Sequence, residues 1–131
     1  IEFRELVPQA LEVTRKYIRM IRSGRVPVEK LMLEKRLSKS PGEYKSLTHQ
    51  AIAAQQLRRE GRYIHAGQNI TYIVTSDGAR IQSKRAVPSE LFEESIGYDA
   101  EAYVKLLIAS FVNLFMPAGY DTSPVEYVLH S

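Results

Sequence analysis

The 131-residue chain contains no cysteine. This absence excludes a disulfide framework, a thiolate metal site and a cysteine nucleophile. The sequence also has no apolar run long enough to span a membrane, and no basic, apolar leader before a small-residue cleavage site. We therefore expect a cytoplasmic protein that does not associate with a membrane.

Motifs that mark common active sites are absent as well. The three histidines, His49, His65 and His130, lack the spacing of metal ligands, and no carboxylate cluster accompanies them. The sequence has no phosphate-binding loop, no dinucleotide fingerprint and no nucleophile elbow. We therefore predict no catalytic residue and no metal site within this chain.

The size and composition suit one globular domain over residues 1–131, with 44% hydrophobic and 25% charged residues. Apolar residues at helical spacing predict a helix at about 8–22, with Pro8 in its first turn. Alternating leucines from Leu31 to Leu37 predict a strand. Thr48 is placed to cap a second helix that runs to Gly61.

The second half of the chain adds further predicted elements. Short strands are predicted at 63–65 and 70–75, and residues 80–87 are predicted to be extended or irregular as far as Pro88. Asp99 is placed to cap a last helix at about 100–116, and this helix is apolar over most of its circumference, as expected of a core helix. The predicted class is α+β, helix-rich with a few short antiparallel strands.

The charges are unevenly distributed along the chain. Residues 1–62 contain 14 Lys+Arg and 7 Asp+Glu, a balance of +7, whereas residues 63–131 contain 4 and 8, a balance of −4. A basic half favours a polyanionic partner, with nucleic acid the usual candidate. A solvated helix face is the alternative interpretation.

Small polar and basic residues also cluster around the predicted turns. Ser40-Pro41-Gly42-Glu43 has the spacing of a capping box, and predicts a single short turn that holds Tyr44 and Lys45. Lysines, hydroxyl groups and helix N-termini are common phosphate contacts. The residues of this kind in or beside the turns are Ser38, Lys39, Ser40, Lys45, Ser46 and Thr48.

Three stretches resemble the thumb domain of family B DNA polymerases, the archaeal and bacterial branch in particular. In the first, a strand leads into "EYK" and a helix follows. In the second, the strand "ITYIV" precedes a Gly-containing turn and "RAVP", and in the third, "YDAEAY" opens a long apolar helix that ends near "GY". Their order matches over about residues 26–120. Residues 1–25 resemble the preceding thumb helix more weakly, and 121–131 form a tail.

The resemblance implies that this domain grips the primer–template duplex through phosphates and sugars across the minor groove, without reading sequence. Phosphate contacts suit that role because they give position and affinity without base information. Carried over residue by residue, the implied DNA-binding residues are Lys35, Arg36 and Lys39 at the strand end, Tyr44 and Lys45 in the turn, Thr48 and His49 at the helix start, and Arg80, Lys84 and Arg85 before Pro88.

The chain departs from the family pattern at two of these places. Family members often carry a proline just before a histidine at the helix start, where this chain has Thr48-His49-Gln50, so His49 and Gln50 both remain candidates. A glycine and an acidic residue often precede the arginine of "RAVP". Ser83 and Lys84 stand there instead, and the lysine adds a positive charge.

The resemblance also implies what the chain lacks. The palm carboxylates, the basic helix of the fingers and the exonuclease acids are missing, so this chain alone is not expected to polymerise. The stretch Gly119 to Ser123 resembles the palm motif, but it offers one carboxylate, Asp121, where two-metal chemistry needs more. Magnesium and nucleotide are therefore expected in the palm, with no cofactor in this chain.

The implied partners are double-stranded primer–template DNA and the remaining palm, fingers and exonuclease parts of the polymerase, and the implied location is the nucleoid. A sliding clamp is a further candidate partner, although residues 123–131 contain no evident clamp-binding peptide. Two alternatives stay open. One is a stand-alone helix-turn-helix regulator that uses residues 49–61 as its recognition helix, and the other is a non-catalytic accessory subunit that binds protein.

Overall fold

The computed structural model describes residues 3–115, with side chains from Leu6 onward. The described residues fall into two compact units. One comprises residues 27–99, and the other comprises the segments up to Val26 and from Ala100. In the described part, three α-helices and one three-stranded antiparallel sheet confirm the predicted α+β class. The prediction of a single domain over 1–131 stays a prediction.

The unit formed by residues 27–99 is built on the sheet. Its strands are β1 (Leu33–Arg36), β2 (Asn69–Val74) and β3 (Ala86–Pro88), in the spatial order β1-β2-β3. Leu33 lies opposite Tyr72 in the β1–β2 pair, and Ile73 lies opposite Val87 in the β2–β3 pair. The strand β1 therefore lies at an edge, which explains how most of its side chains remain exposed.

One helix covers the centre of this sheet. The helix α2 (His49–Arg59) packs mainly against β2 and β3. Four consecutive residues of α2, from Ala51 to Ala54, are buried together with Leu57. On the sheet, Ile73 is completely buried and Ile70 almost so. This interface is the hydrophobic core of the unit.

The second unit pairs two helices. The helix α1 (Phe3–Arg22) packs against α3 (Ala100–Phe115). The predicted apolar stripe of α1 is confirmed, because Thr14, Ile18 and Ile21 are buried. Near the end of α1, Arg22 Nε donates to Glu101 Oε1 at 2.9 Å across the helix pair.

Several predicted boundaries are wrong. The helix α1 begins at Phe3, so Pro8 lies inside the helix instead of in its first turn. A proline this close to a helix start removes one hydrogen bond of the helix without ending it. The predicted strand at 63–65 does not form, because the His65 N–H donates to the side chain of Gln68, only three residues away, and not to a neighbouring strand.

The predicted core helix is only partly buried. Its buried residues, among them Val104, Ile108 and Phe111, follow the spacing of a single face. Leu106 and Leu114 point to solvent, with 46% and 60% of their surface exposed. Among the described residues, α3 therefore acts as a core helix on one face, and part of its apolar circumference is exposed. Within residues 3–115, no helix is both long and apolar enough to span a membrane.

Candidate nucleic-acid interface

The ten predicted DNA-binding residues all lie in the unit formed by residues 27–99. They fall into three places. The β1 cluster consists of residues at the end of β1 and in the turns that follow, namely Lys35, Arg36, Lys39, Tyr44 and Lys45. The helix start consists of Thr48 and His49. The loop cluster, before β3, consists of Arg80, Lys84 and Arg85.

The β1 cluster presents cations that are not neutralised. Lys35, Arg36, Lys39 and Lys45 are all exposed. No ion pair joins any of these four to a carboxylate within the described residues, where the ion pairs involve Arg22, His49 and Arg62. The segment also carries the exposed Glu34 and Glu43, but the four cations outnumber these two carboxylates and form no ion pair with them, so the edge attracts anions.

Tyr44 ties the turn back to the end of the strand. Its hydroxyl oxygen accepts a hydrogen bond from the Ser38 backbone N–H at 3.0 Å, and Lys39 Nζ lies 5.9 Å from the centre of its ring. Burial acts to raise the pKa of Tyr44. Hydrogen bonds from Ser38 and the Lys39 backbone and the positive charge of Lys39 outweigh that effect, so its pKa lies below the ordinary value.

The predicted capping box at Ser40 does not form. Residues Pro41–Glu43 make one 3-10 turn, and the Ser40 side chain makes no cap hydrogen bond. The Glu43 N–H that the cap would bind donates instead to the Ser40 carbonyl at 3.0 Å, which closes the 3-10 turn, and the Ser40 hydroxyl accepts from Arg58 Nη2 at 3.3 Å. The turn ends at Glu43, which leaves Tyr44 directly after it and Lys45 beyond it.

Both residues of the helix start, Thr48 and His49, already form hydrogen bonds within the chain. The Thr48 cap is confirmed, since its side-chain oxygen accepts from the Ala51 N–H at 3.4 Å. His49 Nε2 lies 2.6 Å from Asp77 Oδ1, and the Asp77 N–H donates to Asp99 Oδ2 at 2.8 Å. A carboxylate this close to His49 would repel a phosphate, so His49 is a weaker phosphate ligand than the β1 cluster.

Sequence reasoning missed Asp77 as a neighbour of the site, because Asp77 lies 28 residues from His49 and belongs to no recognised motif. The His49 ring also lies 6.0 Å from the ring of Tyr72, which anchors the histidine above β2. Burial raises the pKa of Tyr72, so this tyrosine remains a neutral part of the core.

The loop cluster divides into two exposed cations and one structural cation. Arg80 and Lys84 are exposed, whereas Arg85 is half-buried and its Nε donates to the Ala79 carbonyl at 2.7 Å. The Lys84 carbonyl accepts from Thr75 Oγ1 at 2.6 Å. Arg85 therefore helps to hold the loop, and its replacement would disturb structure as well as charge.

Gln56 also supports this loop. The sequence places Gln56 on the inner stripe of α2, where a polar side chain needs partners. Its Nε2 donates to the Ala86 carbonyl at 2.8 Å and lies 3.2 Å from the Ser83 carbonyl. The amide thus fixes the segment on either side of Lys84 against the helix.

The sheet separates the β1 cluster from the loop cluster. Arg36 lies opposite Asn69, the first residue of β2, and Ala86 lies opposite Val74, the last. Five residue steps along β2 correspond to roughly 17 Å at the usual strand rise of about 3.3 Å per residue. The two clusters therefore do not form one compact site.

No group of three or more histidine, aspartate or glutamate side chains that could hold a metal ion lies in residues 3–115. The magnesium that family B polymerases imply has no fitting ligand set in this part of the chain. The stretch Gly119 to Ser123, which resembles the palm motif in sequence, falls outside the described residues.

Residues 2–118 match the sequence profile of DNA polymerase family B. The chain belongs to DNA polymerase family B. This family B chain is 26% identical over 122 residues to the DNA polymerase of Thermococcus aggregans, a match that covers 92% of the chain and 7% of that relative. It is 28% identical over 123 residues to the DNA polymerase of Thermococcus sp. (strain 9oN-7), with 92% and 16% covered.

The fold comparison agrees with the family. The chain aligns with the structure of the family B DNA polymerase from the hyperthermophilic archaeon Pyrobaculum calidifontis with a TM-score of 0.70 and 20% identity, covering 86% of this chain and 15% of that one. At this identity the likeness establishes a shared fold. The family B chain therefore spans between a fourteenth and a sixth of the lengths of these proteins.

Proposed function

We propose that this family B chain is the duplex-gripping thumb of a DNA-directed DNA polymerase. In this role it holds the primer–template through phosphates and the minor groove, without reading sequence. The catalytic palm, with its magnesium ions and nucleotide, belongs to another part of the enzyme. The partners would be the duplex, the palm, fingers and exonuclease parts, and a sliding clamp as a further candidate.

The observation that carries the proposal is the uncompensated β1 cluster. Lys35, Arg36, Lys39 and Lys45 are exposed along one edge strand and the turns after it, without carboxylate partners among the described residues. Each can neutralise one phosphate and release its counterions, and this electrostatic exchange supplies most of the free energy of non-specific duplex binding.

The spacing of the two clusters supports contact with an extended polyanion. The length of β2 between the residues opposite Arg36 and Ala86, roughly 17 Å, corresponds to about five base pairs at about 3.4 Å of helix axis each. Arg80 and Lys84 would then contact phosphates well removed from those held by the β1 cluster. A small anionic ligand could not bridge both clusters, whereas a duplex can.

The burial of α2 argues against the stand-alone regulator. A recognition helix must present side chains to base edges in the major groove. Here residues Ala51 to Ala54 and Leu57 are buried against the sheet, and Gln56 is held by backbone carbonyls of the loop. The exposed residues at the end of α2 are Arg58 and Arg59, and Arg58 already contacts Ser40.

We predict that the chain binds two duplexes of unrelated sequence with similar affinity. A dissociation constant of roughly 10⁻⁴ to 10⁻⁶ M is expected at physiological salt, as for other non-specific contacts to duplex DNA. Fluorescence anisotropy with two labelled duplexes of equal length measures both values. A preference above about a hundredfold for one of them would favour the regulator, since specific binders exceed non-specific binding by about a thousandfold or more. Absence of binding to either would favour the accessory protein-binding subunit.

A further inference from the structure

An open pocket lies at the end of β1. Its lining consists of Arg36, Leu37, Ser38, Ala66 and Gly67, and its volume is about 550 Å³. Gly67 has a φ of +88°, and Arg36 Nη2 lies 3.6 Å from the position that a Cβ on Gly67 would occupy. The guanidinium group therefore lies over the Ala66–Gly67 turn, at the wall of the pocket.

Three of the backbone donors around this pocket are already used. The Leu37 N–H donates to the Gln68 carbonyl, the Gly67 N–H donates to the Leu37 carbonyl, and the Ser38 N–H donates to Tyr44 Oη. These three N–H groups are not free for a ligand, so the charged and hydroxyl side chains are the donors considered for it. Arg36 and the neighbouring Lys39 supply charge, and neither forms an ion pair with a carboxylate within the described residues.

Ser38 lines the pocket and Tyr44 lies beside it, and the two hydroxyl groups together have one proton more than their mutual contact uses. Ser38 Oγ and Tyr44 Oη lie 3.4 Å apart, and either can donate to the other. If Ser38 donates, Tyr44 acts only as an acceptor, as it does toward the Ser38 N–H, and its own O–H is free. If Tyr44 donates, the Ser38 O–H is free. In both arrangements the pair keeps one donor for an external acceptor.

We infer that this pocket is the seat of one phosphate group, held by the Arg36 guanidinium, the Lys39 ammonium and the remaining proton of the Ser38–Tyr44 hydroxyl pair. Phosphate oxygens accept strong hydrogen bonds from such donors, and arginine matches their geometry. The inference rests on the proposed function, and identifies where one phosphodiester of the duplex would bind. It adds Ser38 and the Ala66–Gly67 turn to the residues implied by the family.

Because either hydroxyl can supply the donor, the effects of the two substitutions on duplex affinity should not be additive. In Ser38→Ala the Tyr44 hydroxyl can still donate, and in Tyr44→Phe the Ser38 hydroxyl can, so each single change should weaken duplex binding by less than about threefold. The double variant loses both donors, and should bind about tenfold more weakly, as expected for one hydrogen bond to a charged group. The slope of log affinity against log salt should stay unchanged, because no charge is removed. Arg36→Ala should instead reduce the slope by about 0.9.

The matched control is Ser95→Ala with Tyr63→Phe, which removes two exposed hydroxyls outside the pocket. If the Ser38/Tyr44 double variant binds duplex as well as this control does, the pocket holds no phosphate of the duplex and the inference is overturned. If the thermal melt shows that the double variant does not fold, the inference is tested instead by titrating the unaltered chain with inorganic phosphate. Shifts of the Ser38 and Gly67 amide resonances on titration with phosphate support the pocket, and their absence overturns it.

The same phosphate titration separates this inference from the proposed function. If the unaltered chain binds no duplex but the Ser38 and Gly67 amides shift with inorganic phosphate, the pocket binds free phosphate and the thumb role fails. If it binds duplex while the double variant is unimpaired, the thumb role stands and the pocket assignment fails.

Discussion

Removal of Lys35, Lys39 and Lys45 together should flatten the plot of log affinity against log salt by about 2.7, since each lost phosphate contact accounts for about 0.9. If the variant and the unaltered chain bind equally at 1 M salt, this difference corresponds to about a hundredfold weaker binding at 0.15 M salt. The effect should be the same for every duplex sequence. Arg85 is kept, because its side chain holds the Ala79 carbonyl.

The control for this experiment is the triple change of Arg15, Lys16 and Arg19 to alanine. These three residues are exposed on α1, so the control removes the same charge from the other unit. Both triple variants should keep their stability within about 0.5 kcal/mol per site, as exposed substitutions usually do. If the α1 triple abolishes duplex binding while the β1 triple leaves it intact, the basic helix is the docking face and the assignment to the β1 cluster is wrong.

The substitution Ile73→Ala should lower the free energy of unfolding by about 2–5 kcal/mol. Ile73 is completely buried in the central strand, where it lies opposite Val87. Its truncation removes apolar contacts and leaves a cavity in the core that supports the β1 cluster. Urea unfolding, read from the midpoint and slope of the transition, measures the change.

Ile81→Ala is the matched control, since it makes the same chemical change at a side chain that is 56% exposed. Its cost should stay within about 0.5 kcal/mol. Equal losses at the two sites would contradict the placement of the core between α2 and the sheet. A small loss at both would mean that the β2 strand is less tightly packed than described.

The parts of the fold that follow from local pattern were predictable from the sequence. The apolar stripe of α1 repeats at helical spacing, and Thr48 stands where a capping oxygen is needed, so both were predicted and both are confirmed. The strand at 70–75 was predicted with nearly its true bounds, because its apolar run is bordered by turn residues. Local sequence patterns mark such features, although β2 also depends on its pairing with β1 and β3.

The parts that depend on distant partners were not predictable. The strand predicted at 63–65 fails because a strand needs a neighbour, and the local bond between His65 and Gln68 takes its place. The cap at Ser40 fails because the Glu43 N–H donates to the Ser40 carbonyl, and the Ser40 hydroxyl is contacted by Arg58, 18 residues away. The contact between His49 and Asp77 joins residues 28 positions apart, so no short motif could have revealed it.

The candidate interface was likewise predictable in part: the residue types followed from the sequence, and their contacts did not. Residue types indicated which side chains suit phosphate, and the structure shows that the lysines among them are exposed and that Arg85 is partly committed to the loop. The Ser38–Tyr44 hydroxyl pair depends on the turn that returns Tyr44 to the strand end, and the sequence indicated only that both residues lie near turns. The offset of roughly 17 Å along β2 between Arg36 and Ala86 follows from the strand register, which composition does not contain.

The most direct test of the proposed role is a residue-resolved titration of the isotope-labelled chain with a short duplex, followed by amide chemical shifts. We expect the largest shifts at residues 35–45 and at the Ala66–Gly67 turn, smaller ones at Arg80 and Lys84, and little change along the exposed face of α1. A second duplex of unrelated sequence should shift the same residues. Shifts confined to α1 and α3, with residues 35–45 unmoved, would contradict the account.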